Sequence, residues 1–311
     1  MARPRNKVLD YLTYVALRLF AMFVHVFPPR ANYRTAALIG WVICRFDRRH
    51  RRIAEEHLRR SFPDWDEQHV RRVAAESIKH MVYLGLEVLL TTRLITPIRW
   101  QRHVKLAGLA PVLRMLLANR RGLILVTGHY GSFELVGYTM ATLGFPSVSV
   151  FRPLDNPWIN DFVMGVRQRT GQGILRKKGA TAMMEDVLAA RGTLAFIADQ
   201  DAGRKGLFVD FFGRPASTYK SIGLMAMQFG VPIVVGYGRR LGEDFHFEMG
   251  VQRIIQPHEW EGKDDPLLWI TQEYTAALEQ IVRRDPEQYL WVHRRWKHRP
   301  NGEPIPIDGV A

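Results

Sequence analysis

The sequence predicts an α/β protein with a largely parallel central sheet flanked by helices, preceded by an N-terminal helical membrane-associating segment. Three observations carry this expectation. Short apolar runs, LILVT, SVSVF, TLAFIAD and VPIVVGYG, alternate with helix-like segments near 109–119, 132–143, 158–170, 180–191 and 218–229, the pattern of strands joined by helical crossovers. A second is the apolar stretch VLDYLTYVALRLFAMFVHVF at 8–27, long enough to enter or cross a bilayer. The third is bulk composition: 47% hydrophobic residues in a chain of 311 can bury a sizeable core and do not describe a disordered chain.

Residues 1–47 form the N-terminal part. Arg3, Arg5 and Lys7 precede the apolar run, so a single span would keep that end in the cytoplasm. Arg18 near the middle is costly inside hydrocarbon. Pro28-Pro29 is followed by a second apolar stretch, AALIGWVICRF, so the two helices could instead lie in the interface as a monotopic anchor or be buried in a soluble domain. No small-residue cleavage site follows, which argues against a signal peptide. Residues 48–103 read as a helical subdomain: Pro63 breaks one basic helix, and Asp64 with Glu67 makes a capping-box start for a second, running to about Leu90. Residues 104–300 carry the α/β pattern, with DFHFEMGV at 244–251 as a further, antiparallel strand, and 301–311 form an irregular tail.

Charge narrows the partners. Lys+Arg of 44 against Asp+Glu of 30 gives a formal +14, which favours nucleic acid, an anionic membrane or an acidic carrier protein. Neither a recognition-helix pattern nor an RNA-binding strand signature is present, so no nucleic acid is expected. The single cysteine, Cys44, excludes an internal disulfide and a cysteine-rich zinc site.

The stretch VTGHYGSFELVG at 126–137 sets His129 between two glycines, five residues ahead of Glu134. GLILVT before it reads as a strand buried on both faces, so His129 lies at a strand's carboxyl end, with Ser132 as a plausible cap of the next helix. Residues five apart on one helix are separated by about 140° and share no face. If the turn brings the pair together, the carboxylate fixes one imidazole tautomer and leaves the other nitrogen basic. A surface histidine beside a helix-face glutamate is the plain alternative.

In open α/β sheets ligands sit at the carboxyl ends of strands. There the sequence places Arg152, Asp199 with Asp201, and Arg239 with Arg240. Arg152 has the fork geometry suited to phosphate or carboxylate, unless Asp155 neutralises it. Asp199 and Asp201 have no histidine at ligand spacing, so no metal is expected. FVDFFGRPAST at 208–218 reads as a loop in which Phe211, Phe212 and Gly213 either wall an acyl-chain pocket or pack in the core, before Ser217 or Thr218 caps a helix. WVHRRWKHRP at 291–300 interleaves tryptophan with basic residues, a composition suited to anionic head groups, with a solvated basic face as the alternative.

HYGSFE, FRPLDNP, ADQD with FVDFFGRPA-T, GVPIVVGYGRR and WVHRRWKHRP, in that order, together with RRIAEEHLRRSFPDW upstream, resemble the bacterial lipid A biosynthesis acyltransferases, the late lauroyl and myristoyl transferases. The similarity spans roughly residues 8 to 300. It implies the wider glycerolipid acyltransferase class with its H-x4-(D/E) motif, which includes enzymes that acylate phosphatidylinositol mannosides. On this resemblance His129 is the general base, Glu134 its orienting carboxylate and Arg152 a contact to an anionic substrate group. Asp199, Phe211, Phe212, Gly213 and Arg239 are expected at the substrate. Ser132-Phe133 stands where familiar members often have asparagine and tryptophan, which opens the acceptor to other glycolipids or a lysophospholipid. The implied reaction moves a fatty acyl group from acyl carrier protein or acyl-CoA to a hydroxyl of a lipid A precursor or similar glycolipid. It would take place at the cytoplasmic face of the inner membrane, without a cofactor. A lipid esterase or thioesterase using the same pair on water is the competing enzyme reading.

Overall fold

The computed structural model describes residues 6–151, 153–176 and 180–300. Arg152 and the 301–311 tail lie outside the described residues.

The chain opens with two helices, α1 (Lys7–Val26) and α2 (Pro29–Phe46). Asn6 starts α1 by accepting the N–H groups of Val8 and Leu9. Pro29 starts α2, where its missing N–H has no intrahelical partner to lose. Among the described residues α1 alone is long and apolar enough to cross a membrane. The helix α3 (Arg48–Ser61) stops ahead of Pro63, and α4 (Glu67–Leu94) follows. The cap of α4 is Asp66 rather than Asp64: its carboxylate accepts the N–H of His69 at 2.7 Å, and Glu67 pairs with Arg59 instead of closing a box.

The α/β part runs β1 (Val104–Ala107), α5 (Ala110–Ala118), β2 (Leu123–Thr127), α6 (Phe133–Thr142), β3 (Val148–Phe151), α7 (Pro157–Gln168), β4 (Gly173–Arg176), α8 (Ala180–Ala189) and β5 (Thr193–Ile197). After these come a hairpin, β6 (Leu207–Asp210) and β7 (Pro215–Thr218), then α9 (Ser221–Phe229), β8 (Ile233–Arg240), β9 (Phe247–Ile255) and α10 (Pro266–Arg284). Seven strands form one sheet in the order β1-β9-β8-β2-β5-β3-β4. The five from β8 to β4 are mutually parallel, while β9 runs antiparallel to β8, as expected from its sequence, and parallel to β1. Ile124, Val126, Ile233 and Val235 are fully buried, which is why the central strands read as uninterrupted apolar runs. Ala54, Leu58 and Val70 of α3 and α4 pack in the same cluster as those strands, so the N-terminal helices share the core of the sheet.

Two further expectations are corrected. FVDFFGRPAST is a hairpin rather than a capping loop: Ser217 and Thr218 are buried strand residues, and α9 begins at Ser221. Its reversal uses positive φ at Phe212 (56°) and Gly213 (69°). WVHRRWKHRP is not a head-group surface, because Trp291, Arg295 and Trp296 are buried. The Arg295 guanidinium donates to the carbonyls of Ser217 and Gln200 and to the Thr218 hydroxyl. Such donation removes much of the penalty for a charge out of water.

Candidate active site

β2 and β5 are paired in register, Thr127 opposite Ile197, and the N–H of Ala198 donates to the Thr127 carbonyl at 2.8 Å. The segments leaving the two carboxyl ends therefore stay side by side, and they carry His129 and Asp199. Gly128 permits the approach: a Cβ there would lie 3.1 Å from Asp199 Oδ2. Gly131 is under a harder constraint, since its φ is +55° and a Cβ would stand 2.1 Å from the Gly238 carbonyl oxygen.

The turn is pinned from three sides. The Ser132 N–H donates to the Gly238 carbonyl at 2.6 Å, while Gly131 donates to Gln288 and Leu290 donates to His129, both through backbone groups. From α4, His80 Nε2 lies 3.2 Å from the Gly131 carbonyl, and its Nδ1 takes a hydrogen bond from Arg240 at 2.9 Å. Burial, then the Arg240 charge, pushes the His80 pKa down to about 3, so this imidazole is a neutral strut. Ser132 occupies the cap position of α6, but no side-chain capping bond is formed there.

Asp199 uses both oxygens on His129. Oδ2 accepts the His129 backbone N–H and Oδ1 accepts its ring Nδ1–H, each at 2.7 Å. Burial opposes ionisation of Asp199, but the imidazole charge and these hydrogen bonds outweigh it and hold the carboxyl at about 2. Burial likewise opposes protonation of His129, while Asp199, and then Glu134 at longer range, raise its pKa above the ordinary histidine value. With Nδ1 carrying the proton shared with the carboxylate, Nε2 presents its lone pair. The Gln200 side-chain amide faces that nitrogen at 3.3 Å, and the His293 ring stacks at 6.2 Å. The His129 side chain remains 14% exposed, so Nε2 sits at a partly open end of a buried pair. The arrangement is an imidazole oriented by a carboxylate, with an amide beside its free nitrogen, a geometry that can serve general-base chemistry.

Glu134 is not the carboxylate on His129. From the first turn of α6 it forks with Arg167 of α7, through Nε at 2.9 Å and through Nη2. The H-x4-E spacing puts it near enough to act on the histidine by charge, while contact belongs to Asp199. Arg239 pairs with Glu248 at 3.1 Å and Asp285 at 3.3 Å, and Asp285 also accepts the Tyr130 hydroxyl at 2.6 Å, so this arginine braces the turn. Phe211 and Phe212 are buried against Trp296, Trp291 and Phe62, which is the core-packing alternative, and Gly213 lies at the hairpin reversal.

Sequence reasoning missed Gln200, His293, Arg167 and His80. Gln200 and His293 stood inside motifs already singled out, ADQD and WVHRRWKHRP, where their position next to a chemistry-bearing residue was the only signal. For Arg167 and His80 a helix-face charge or histidine gives no such signal.

The family model described as bacterial lipid A biosynthesis acyltransferase matches residues 2–298. A lipid A biosynthesis lauroyltransferase of Escherichia coli is 28% identical, over 94% of each chain. An E. coli lipid A biosynthesis palmitoleoyltransferase is also 28% identical, over 94% of this chain and 93% of its own. A Haemophilus influenzae lipid A biosynthesis acyltransferase is 25% identical, over 93% and 89%.

Proposed function

The chain belongs to the bacterial lipid A biosynthesis acyltransferase family, and from that premise we propose that it moves a fatty acyl group from acyl carrier protein to a hydroxyl of a lipid A precursor at a membrane surface. The observation that carries the chemistry is the double hydrogen bond between Asp199 and His129 at the ends of adjacent parallel strands.

His129 Nε2 takes the proton of the acceptor hydroxyl as its oxygen attacks the thioester carbonyl. Asp199 stabilises the imidazolium that forms, as its ionisation well below neutral pH allows. The carbonyl oxygen carries the negative charge of the tetrahedral intermediate, and the Gln200 side-chain amide, which lies 3.3 Å from Nε2, is proposed as its donor. Collapse forms the new ester and breaks the C–S bond, and the leaving thiolate recovers the proton from Nε2. His129 thus ends in the state in which it began.

The donor assignment rests on charge. A chain of formal +14 attracts a small acidic carrier protein over distance. Arg152 is proposed as a contact to an anionic group of the substrate, as its guanidinium fork suits, and Glu134 as a charge that acts on His129 through space. Membrane attachment rests on the apolar exposed faces of α1 and α2.

The test is mass spectrometry of products formed by the purified full-length protein from acyl carrier protein and acyl-CoA donors with a panel of lipid A precursors. Acylated glycolipid is expected from wild type, and a loss of about 10²-fold or more from His129→Ala. Free fatty acid without acylated lipid would make the protein a hydrolase, and unchanged transfer by His129→Ala would remove the base from its role.

A further inference from the structure

We propose that α1 and α2 seat the protein in the plane of an anionic bilayer surface, with both ends of α1 on the same side, and that α1 does not cross the membrane. This rests on the reading of the protein as a membrane-associated acyltransferase and adds the geometry of attachment.

At 100° per residue, Val8, Leu12, Leu19, Phe23 and Val26 fall on one side of α1, and each is more than half exposed. Ala21 and Val24, on the opposite side, are buried. In α2, Tyr33, Ala36 and Gly40 are buried while Leu38, Trp41, Val42 and Phe46 face outward. Each helix therefore packs one face on the protein and leaves an apolar face available to lipid, as an interfacial helix requires.

α1 is also tied to the body along its length. Near its start, Asn156 donates to the Asp10 carbonyl at 2.8 Å, and Trp158 packs on Tyr11 and Tyr14. Midway, Arg18 bonds the Tyr14 hydroxyl and lies over the Phe162 ring. Near its end, Arg93 of α4 donates to the His25 carbonyl at 2.6 Å, and Asn32 donates to the Val24 carbonyl at 2.8 Å. A crossing helix of 20 residues must place nearly its whole length in a hydrocarbon core about 30 Å thick. That would carry the attached side of α7 in with it, including a cavity of about 340 Å³ lined in part by Arg18, His25, Asp161 and Arg169. Ionisable groups there are expensive in lipid. Lying in the plane, α1 immerses its apolar face without carrying the α7 side of the body into the hydrocarbon.

Charge identifies the surface. Residues 29–54 contain seven arginines and one acidic residue, Asp47, and Arg34, Arg45, Arg48 and Arg49 are exposed. Arginines beside an apolar helix face match anionic head groups above acyl chains.

The sole cysteine, Cys44, makes the test direct. In a Cys44→Ser background, Lys7→Cys at the start of α1 and Arg30→Cys in the first turn of α2, just past the end of α1, place a thiol on either side of α1. Each full-length variant is expressed in bacteria and treated with a membrane-impermeant maleimide in intact spheroplasts and in inside-out membrane vesicles. Both thiols are expected to react alike in the vesicles and to be protected in spheroplasts. Labelling of one in spheroplasts and the other in vesicles would mean that α1 crosses, overturning the seating while leaving attachment in place. Binding to phosphatidylglycerol vesicles is measured in parallel. Leu19→Glu with Trp41→Glu is expected to weaken it by about tenfold or more, and wild-type strength in that variant would show that these faces do not meet lipid. Acyl transfer by the wild-type protein in detergent is followed separately, so failure of the catalytic reading is recognised on its own.

Discussion

Arg167 closes on both oxygens of Glu134, while Asp199, seventy residues from His129 in sequence, closes on the imidazole. The two carboxylates therefore predict different losses. Asp199→Asn replaces the acceptor of the Nδ1 proton and removes the charge that stabilises the imidazolium, and should lower kcat by about 10² to 10⁴-fold. Glu134→Gln loses a through-space charge and one side of an ion pair, and should cost less. Single-turnover rates on the same donor decide between them. A larger loss for Glu134→Gln, with Asp199→Asn near wild type, would reverse the assignment of the orienting carboxylate.

The pH profile should carry the signature of the pair. The base acts when neutral, and His129 titrates above the ordinary histidine value because Asp199 more than offsets its burial. The ascending limb of kcat/KM is therefore expected above about pH 6.5, and in Asp199→Asn it should move down. The two stability terms run in opposite directions. The contribution of the raised His129 is fully present below its unfolded value and is lost as pH rises through its folded one. That of the depressed Asp199 is present above about 3.8 and is lost as pH falls through about 2. Chemical denaturation across the same pH range reads these terms independently of activity.

Gly131→Ala should damage the fold more than its size suggests. The new methyl would stand 2.1 Å from the Gly238 carbonyl, on a residue already at φ +55°, so backbone must move. We expect destabilisation of about 2 kcal/mol or more, together with loss of transfer. By contrast Gly144→Ala, at φ +89° with nothing within 4 Å, isolates the cost of the backbone angle. A comparable Tm shift in both variants would show that the Gly238 contact contributes little.

Donor choice is tested with detergent-dispersed acceptor at rising ionic strength. Acyl carrier protein should give the higher kcat/KM at low salt and lose more of it as the Debye length falls to about 8 Å near physiological ionic strength. Acyl-CoA as the better donor throughout, with the same salt dependence, would assign the positive charge mainly to the membrane.

The parts of this fold that could be read in the sequence are those with a local cause. The buried strands announce themselves as apolar runs, and Gly128-His129 marks the end of one. What escaped was decided by tertiary contact. H-x4-E singles out the histidine proposed as the base and a nearby acid, yet the hydrogen bond goes to Asp199 because β2 and β5 are neighbours in the sheet, a pairing no short motif encodes. Composition misled at 291–300, where alternating tryptophan and arginine suggests a wet interface but Arg295 finds two carbonyls and a hydroxyl inside. Phe211 and Phe212 were equally consistent with a pocket wall or a core, and only their neighbours separate the two.

The closure of the His129 turn by residues 288–290 sets an order on biosynthesis. Gln288 and Leu290 supply the backbone partners of Gly131 and His129, and they leave the ribosome after every strand of the sheet. A nascent chain can pair β2 with β5 and β8 and still hold its base in a turn that lacks these two bonds. The proposed site geometry would then be completed only after residues 288–290 have been made, and until that moment the growing polypeptide has a sheet without the finished turn.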